Sequence, residues 1–451
     1  MNEKFSHLFI DLSNQDKYYL NEERGNMLIQ FRFSNFRSFR EDSILDFSAT
    51  KITEHATNVF TVGRDKILPA AVVFGANASG KSNVLAAFRF MASYVIQSFG
   101  YGAYNKEKEN NFIKPGYAPF RFNRDSMNED SVFEVYFIAS NGTRERIYNY
   151  GFAINQDRIT EEWLNIKSKS SKEYKRVFYR SRNELDLSGL DNRSSRENIK
   201  AAIENETLIV SLGAKLRIAE LKTVRDWFLN IEFADFGNPL ENIRISSSLP
   251  SGFNDDRKIQ QMVLDYLSAF DKSIIGFEVE KSRNNGNCDN DEVSIRTVHS
   301  MDDGTTASIP FSDESAGTIK MFSLFSAFHN VIENGSVLVV DELNSRLHPL
   351  LVRNFLLSFL NPEINRKHAQ IIFTTHDTWM LRNDLLRRDE IWFTEKNDKG
   401  ESILYSLADF TDETGTKIRK DENYEKNYLL GKYGAIPALN AFSIQKEEYE
   451  E

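Results

Sequence analysis

The first clear pattern in the chain is residues 27–48, MLIQFRFSNFRSFREDSILDFS, where apolar and polar positions alternate around Leu28, Gln30 and Arg32 and their neighbours Ile29, Phe31 and Phe33. A period of two predicts a strand. A turn over Asn35 to Ser38 follows, then a second strand, Ser43 to Phe47. Residues 68–74 (LPAAVVF) form a short apolar run suited to a buried parallel strand. The run stops at Gly75, and a helical stretch from Lys81 to Ser98 begins beyond it. Residues 99–130, rich in Gly, Asn and charge, read as loop, and 131–180 alternate again (SVFEVYFIA, RIYNYGFAI, RVFYRS). Breaks at Asn141-Gly142 and at polar Lys/Ser runs make these antiparallel hairpins. The stretch 195–270 turns helical, as in AELKTVRDWFLNI and DRKIQQMVLDYLSAF, without the sustained heptads of a long coiled coil. Strands are expected over 274–311, around the loop Arg283 to Glu292.

From 312 to 376 the pattern is α/β: a helix (Ala316 to Glu333), a strand (SVLVV, 336–340), a helix (Leu350 to Leu360) and a strand (QIIFTT, 370–375). The remainder holds a strand (EIWFTEK), a polar stretch, YLLGKYGAIP and an acidic tail, KEEYEE.

Composition narrows the class. With 451 residues the chain can bury a large core, and its 35 Phe are read as core. A net charge of −10 argues against a surface coated for nucleic acid, though not against a local basic groove. The single cysteine, Cys288, excludes an internal disulfide, and no Cys/His set has zinc spacing; both fit a reducing cytoplasm. No run of roughly 18 apolar residues predicts a membrane span. The polar N-terminus lacks the apolar stretch of a signal peptide, and translation from either Met1 or Met27 fits the sequence.

Four motifs carry chemistry. Gly75-Ala76-Asn77-Ala78-Ser79-Gly80-Lys81-Ser82 fits G-x-x-x-x-G-K-[ST] in full, between an apolar strand and a helix. Such glycines let successive N–H groups face a phosphate, and the helix start adds positive potential. Lys81 would meet the β/γ-phosphates, and the Ser82 hydroxyl a magnesium ion. Second, SVLVV runs into Asp341-Glu342 at a buried strand end, where two acids are costly without a cation or a catalytic task. Asp341 would hold magnesium, and Glu342 would act as general base on water. Third, His376 in Thr374-Thr375-His376-Asp377 ends the next apolar strand, within reach of a γ-phosphate or its water. Fourth, Asp313-Glu314-Ser315-Ala316-Gly317-Thr318 precedes a helix. It reads as a second anion site or, taken alone, as an ordinary Ser N-cap.

The order phosphate loop, long insertion, ESAGT, VVDEL, TTHD resembles the ABC/SMC/RecF class of ATPases. NFRSFRE, GANASGKSN, DELNSRLHPLL, TTHDT, EIWFTEK and YLLGKYGAIP together look like the OLD-related branch found in prokaryotic defence operons (RloA/AbiL/PtuA/AriA-like), over most of residues 27–440. The resemblance implies an α/β fold: a P-loop ABC-type ATPase head, a mixed sheet with flanking helices, carrying an inserted antiparallel-β and helical lobe. It implies ATP and Mg2+ as ligands. It makes ESAGT the signature, with Ser315 and Gly317 touching a nucleotide held by a second copy at Gly75, Asn77, Ser79, Gly80, Lys81, Ser82 and Asn83. NSRLH would be the D-loop and His376 the switch histidine. Arg37 would contact nucleotide or phosphate, or shape a turn. Ala316 stands where transporters have Gly, His348 takes the usual D-loop Asp position, and Gln156 is the one candidate for the Q-loop.

The expected organisation is an extension (1–26), a head built from 27–117 and 312–440, an insertion (118–311) and a tail (441–451). Only about 75 residues follow His376, too few for a Toprim nuclease, which needs around 100. Effector chemistry, as nuclease or toxin, would then belong to a separate protein. The expected function is a cytoplasmic homodimeric or larger ATPase acting as sensor or scaffold in antiphage defence. The alternative is a repair or chromosome ATPase gripping DNA directly, through Lys167, Lys169, Lys172, Lys175, Arg176, Arg180 and Arg182 with interleaved Tyr174, Phe178 and Tyr179. That run is also what a solvated hairpin shows.

Overall fold

The computed structural model describes residues 26–101, 116–142, 144–246, 249–282, 292–411, 415 and 417–436. The N-terminal extension before Asn26, the loop with Cys288 and the acidic tail lie outside the described residues.

β1 (Leu28–Ser34) and β2 (Ser43–Asp46) pair antiparallel, and β3 (Phe60–Val62) and β4 (Asp65–Ile67) form a short ribbon. β5 (Ala70–Gly75) runs through the phosphate loop into α1 (Lys81–Gln97). A meander follows: β6 (Ser131–Asn141), β7 (Arg144–Ile154), β8 (Ile159–Ser168), β9 (Lys175–Arg180) and β10 (Leu185–Asp186). Next come α2 (Arg193–Ala202), α3 (Ile209–Lys215), α4 (Ala219–Leu229), β11 (Glu232–Asp235), α5 (Pro239–Ser246) and α6 (Arg257–Ser268). A second meander, β12 (Ile274–Ser282), β13 (Glu292–Ser300) and β14 (Thr306–Pro310), leads to α7 (Ala316–Asn334). The chain ends through β15 (Val337–Asp341), α8 (Pro349–Leu360), β16 (Gln370–Thr374), β17 (Ile391–Lys396), β18 (Ser402–Ser406) and α9 (Tyr424–Leu429).

Two large sheets result. One is antiparallel, in the order β10-β9-β8-β7-β6-β1-β2; the other runs β11-β15-β16-β5-β17-β18 and is parallel except for β18. The alternation of the parallel strands sorts their side chains between two cores. Ala71, Val73, Val337, Val339 and Ile372 join α1 residues such as Val84 and Phe88 and the antiparallel sheet. Val72, Phe74, Leu338, Val340 and Phe373 join Phe322 and Phe325 of α7 and Phe355 of α8. Parallel strands covered on both faces read as unbroken apolar runs, which is why VVF, VLVV and IIF stand out in the sequence. The Phe excess does go into these cores, each fully buried ring stabilising by roughly 1.5–3 kcal/mol.

The stretch 118–311 supplies antiparallel strands and helices, yet it is stitched into the head. β6 pairs with β1, Phe31 opposite Val135, and β11 is the edge strand of the parallel sheet beside β15. Period-two alternation tells which face a strand buries but not which strand it pairs with. The four residues of β11 are too few to show a period, and they lay hidden in the helical reading of 195–270. No helix among the described residues is long and apolar enough to cross a membrane.

Candidate nucleotide-binding and catalytic site

Parallel sheets expose their ligand-binding loops at the carboxyl ends of the strands. Here those ends are Gly75 of β5, Asp341 of β15, Thr374 of β16 and Asp235 of β11. Asp235 lies in register opposite Asp341.

The phosphate loop needs its glycines for local reasons. Gly75 has φ 153° and Gly80 φ 118°, where side chains are strained. A Cβ on Gly75 would stand 2.5 Å from the main-chain oxygen of Thr394 and 2.6 Å from Ser79 Oγ; one on Gly80 would stand 2.6 Å from Ser402 Oγ. Ser79 Oγ lies 2.6 Å from Thr394 Oγ1, and Ser402 Oγ donates to the Ser79 carbonyl at 2.6 Å. These contacts press the loop against β17 and β18. Gly80 caps α1 without a side-chain hydrogen bond, and no acid stands in the first helical turn. The free N–H groups of that turn thus suit an anion. Asn77 and Ser82 face solvent. Lys81 is buried, its ammonium folded back to donate to the carbonyls of Gly75 and Ala76, both at 2.9 Å. Burial lowers its pKa to about 8, against the pull of Asp341 and Glu342.

Behind the loop, Asn83 donates to Ser38 Oγ at 2.8 Å and accepts from Arg37 Nη1 at 3.3 Å. Arg37 sits in the left-handed region, φ 51°, within the turn between β1 and β2, and its side chain reaches the first turn of α1 at Asn83. Desolvation lowers its pKa, while the charges of Asp235 and Asp341 oppose that shift.

At the end of β15, Asp341 is buried and accepts from the Thr374 hydroxyl. Glu342 turns out of the strand at φ 53°, its N–H donating to Thr374 Oγ1 at 2.8 Å. The exposed ring of His376 has a lowered pKa, chiefly because the strand ends desolvate it and then because Lys81 repels a second cation; neutral imidazole results. Asp341 and Glu342 act on it in the opposite sense.

Ser315 is exposed and caps α7, its Oγ accepting from Thr318 N at 3.0 Å. Gly317 packs on the turn after Glu342, a Cβ there lying 3.2 Å from the Arg346 carbonyl. Among the described residues no hydrogen bond joins Ser315 to the phosphate loop of its own chain. His348 caps α8 by accepting from Leu350 N at 3.2 Å.

Gln156 sits in the turn between β7 and β8 of the antiparallel sheet. On the edge side of β15, β11 ends at Asp235, and Gly237 follows two residues later. Asp235 Oδ1 accepts from Asn238 N at 2.9 Å, and a Cβ on Gly237 would lie 3.3 Å from the Glu342 carboxyl carbon. Burial raises the pKa of Asp235, and the charge of Asp341 adds to the shift. Thr394, Ser402 and Lys320 lie outside the motifs legible in the sequence, and Thr374 stands in one without a role of its own.

Residues 70–379 match the family described as AAA domain, putative AbiEii toxin, Type IV TA system. The chain belongs to this family. This AAA-domain family is one of P-loop ATPases, and the match spans Gly75–Ser82, Ser315–Gly317, Asp341-Glu342 and His376. Among solved structures the chain is similar to an SMC head bound to the C-terminal winged-helix domain of ScpA, with 13% identity over 84% of this chain and 97% of that one and a TM-score of 0.40. It is also similar to an Smc head with an extended coiled coil bound to the C-terminal domain of ScpA derived from Pyrococcus furiosus, with 14% identity, 84% and 96% coverage and a TM-score of 0.35. No curated protein matches.

The residues fit nucleotide and magnesium. The loop has no room for a side chain at Gly75 or Gly80, the helix start is free of acids, and Ser82 and Asp341 offer hard oxygen donors.

Proposed function

We propose that this AAA-domain chain binds ATP with Mg2+ and hydrolyses it to ADP and phosphate at sites shared by two copies. The observation that carries the reading is the convergence at one sheet edge of Lys81, which opens α1 beyond β5, Asp341 and Glu342 at the end of β15, and His376 just past β16, the three strands lying side by side. In this reading Gly75, Asn77, Ser79, Gly80, Lys81, Ser82 and Asn83 hold the phosphates, with Arg37 alongside. Ser82 and Asp341 hold magnesium, which supplies charge neutralisation between the phosphates. Glu342 takes the proton of the attacking water, and Thr374 Oγ1 anchors the Glu342 backbone by accepting its N–H. His376, neutral, donates a hydrogen bond to the γ-phosphate or to the water. Ser315 and Gly317, with the free N–H groups at the start of α7, complete the site of a second copy.

The biological role we propose is that of sensor or scaffold in an antiphage defence complex, as in the OLD-related branch. A separate effector, nuclease or toxin, would be controlled by ATP-driven closure. The family description, which speaks of a putative toxin and a type IV toxin–antitoxin system, supports a place in such systems. Direct DNA binding finds less support in the basic hairpin. Lys169 pairs with Glu145, Arg176 with Asp186, and Arg180 donates to the carbonyls of Thr207 and Glu204. Steep loss of duplex retention with salt would revive that alternative. Phosphate release by the purified chain, dependent on Mg2+ and abolished in Lys81→Ala, tests the ATPase reading. A wild-type chain that releases none overturns it.

A further inference from the structure

Lys320 has no part in the roles above, yet it is among the most constrained cations in the molecule. It lies on α7, one turn beyond Ser315, and is 4% exposed. Its ammonium donates to three main-chain carbonyls of the turn after β15: Glu342 at 3.1 Å, Leu343 at 2.8 Å and Ser345 at 2.9 Å. A lysine has three N–H donors, so all are used. The ring of Phe236, directly after Asp235, lies 4.0 Å from the nitrogen. Burying an ammonium is unfavourable, and an apolar side chain of that length would fill the space without the penalty. What the ammonium adds is a fixed position for three carbonyls in a turn that holds Glu342 in the left-handed region. An independent contact ties the same two segments. Gly317 approaches the Arg346 carbonyl so closely that no side chain fits without displacement.

We propose that Lys320 is a positioning residue that joins the signature turn and the Glu342 turn of one chain into a single unit. Closure of Ser315 onto the partner copy's nucleotide then sets Glu342 against the chain's own. The two shared sites are thereby coupled, and turnover is cooperative in ATP. This rests on the two-chain ATPase reading.

The test compares wild type with Lys320→Met, Lys320→Arg, Glu342→Gln and the double variant Lys320→Met/Glu342→Gln. Labelled ATP reports binding, and steady-state phosphate release is measured against ATP concentration. Lys320→Met is expected to bind ATP within about threefold of wild type. Its turnover should fall on the order of 100-fold, as misplacement of a catalytic group does, with loss of the sigmoidal ATP dependence. Lys320→Arg, which keeps the charge, should recover about a tenth or more of the lost rate. Adding Lys320→Met to Glu342→Gln should cost no further turnover, because the two act as one unit. Wild-type turnover and cooperativity in Lys320→Met, or an additive loss in the double variant, overturns the proposal. ATP binding and melting temperature falling together with rate assigns Lys320 to folding and overturns it too. A wild-type chain without turnover removes the parent reading first, and this one with it.

Discussion

The hydroxyl of Thr374 donates to the carboxylate of Asp341 across adjacent parallel strands, and its oxygen accepts the main-chain N–H of Glu342 at 2.8 Å. One fully buried side chain thus sets both acids, the first by its carboxylate and the second by its backbone. Thr374→Val keeps the volume and removes both bonds, leaving a buried carboxylate oxygen and an N–H with a partner lost. Stability should drop by about 1–3 kcal/mol. The Mg2+ concentration for half-maximal phosphate release should rise, since Asp341 loses its fixed direction. Urea unfolding and a Mg2+ titration check the two effects, and a variant unchanged in both would show that Thr374 does not organise the acids.

Gly75→Ala tests whether the loop glycines serve the local geometry described. The added methyl would meet the rigid main-chain oxygen of Thr394, and φ 153° disfavours any side chain. Strain of this kind costs on the order of 1–3 kcal/mol. The loop should rotate to escape it, and ATP binding should fall more than stability does. Equilibrium binding of labelled ATP beside a thermal melt separates the two.

The pH dependence of ATP binding follows from Lys81. Its pKa in the folded chain is lowered to about 8 by burial, so the ammonium is largely present at pH 7 and mostly lost at pH 9. ATP should therefore bind more weakly as pH rises, by about tenfold between pH 7 and 9, because only the charged fraction is competent. The stability of the free chain moves the other way. The unfolded lysine keeps its proton above pH 8 while the folded one releases it, so this group adds stability as pH rises from about 8 toward the ordinary lysine value of 10.5. Lys81→Arg should flatten both trends. An ATP affinity independent of pH in wild type would mean that Lys81 is not the titrating contact.

How far the site could be read from sequence depends on where each residue lies. β5, β15 and β16 were legible because each is an apolar run ending at a chemical motif, and the cap of α7 was legible as Ser315. The strand β11 was not, since EFAD is short and borders a helix, and Asp235 was lost with it. The braces of the phosphate loop were also out of reach. Thr394 and Ser402 meet Ser79 from 315 and 323 residues away, and no local pattern encodes a contact at that separation. The joining of 118–311 to the head escaped for the same reason: β6 pairs with β1 across about a hundred residues.

The shared site is tested most directly by two variants that should fail in opposite ways. Glu342→Gln removes the base but leaves the N–H anchored on Thr374, so ATP should bind normally while turnover falls by about 10²–10⁴. The bound nucleotide would then hold two heads together, and light scattering should show a dimer that wild type populates only in passing. Ser315→Arg places a bulky cation at the exposed cap of α7, whose hydroxyl bonds only to Thr318 among the described residues of its own chain. ATP binding by the single chain should stay within about threefold, but the closed dimer should not form and turnover should vanish. Mixing the two variants should restore part of the rate, from one of the two sites in each mixed pair. In a mixed pair, the site lined by the Glu342→Gln phosphate loop lacks its base and is closed by the blocked cap. The opposite site has base and signature intact and is limited only by closure. Should Ser315→Arg alone hydrolyse ATP as fast as wild type, each chain works by itself, and the exposed serine is no more than a helix cap.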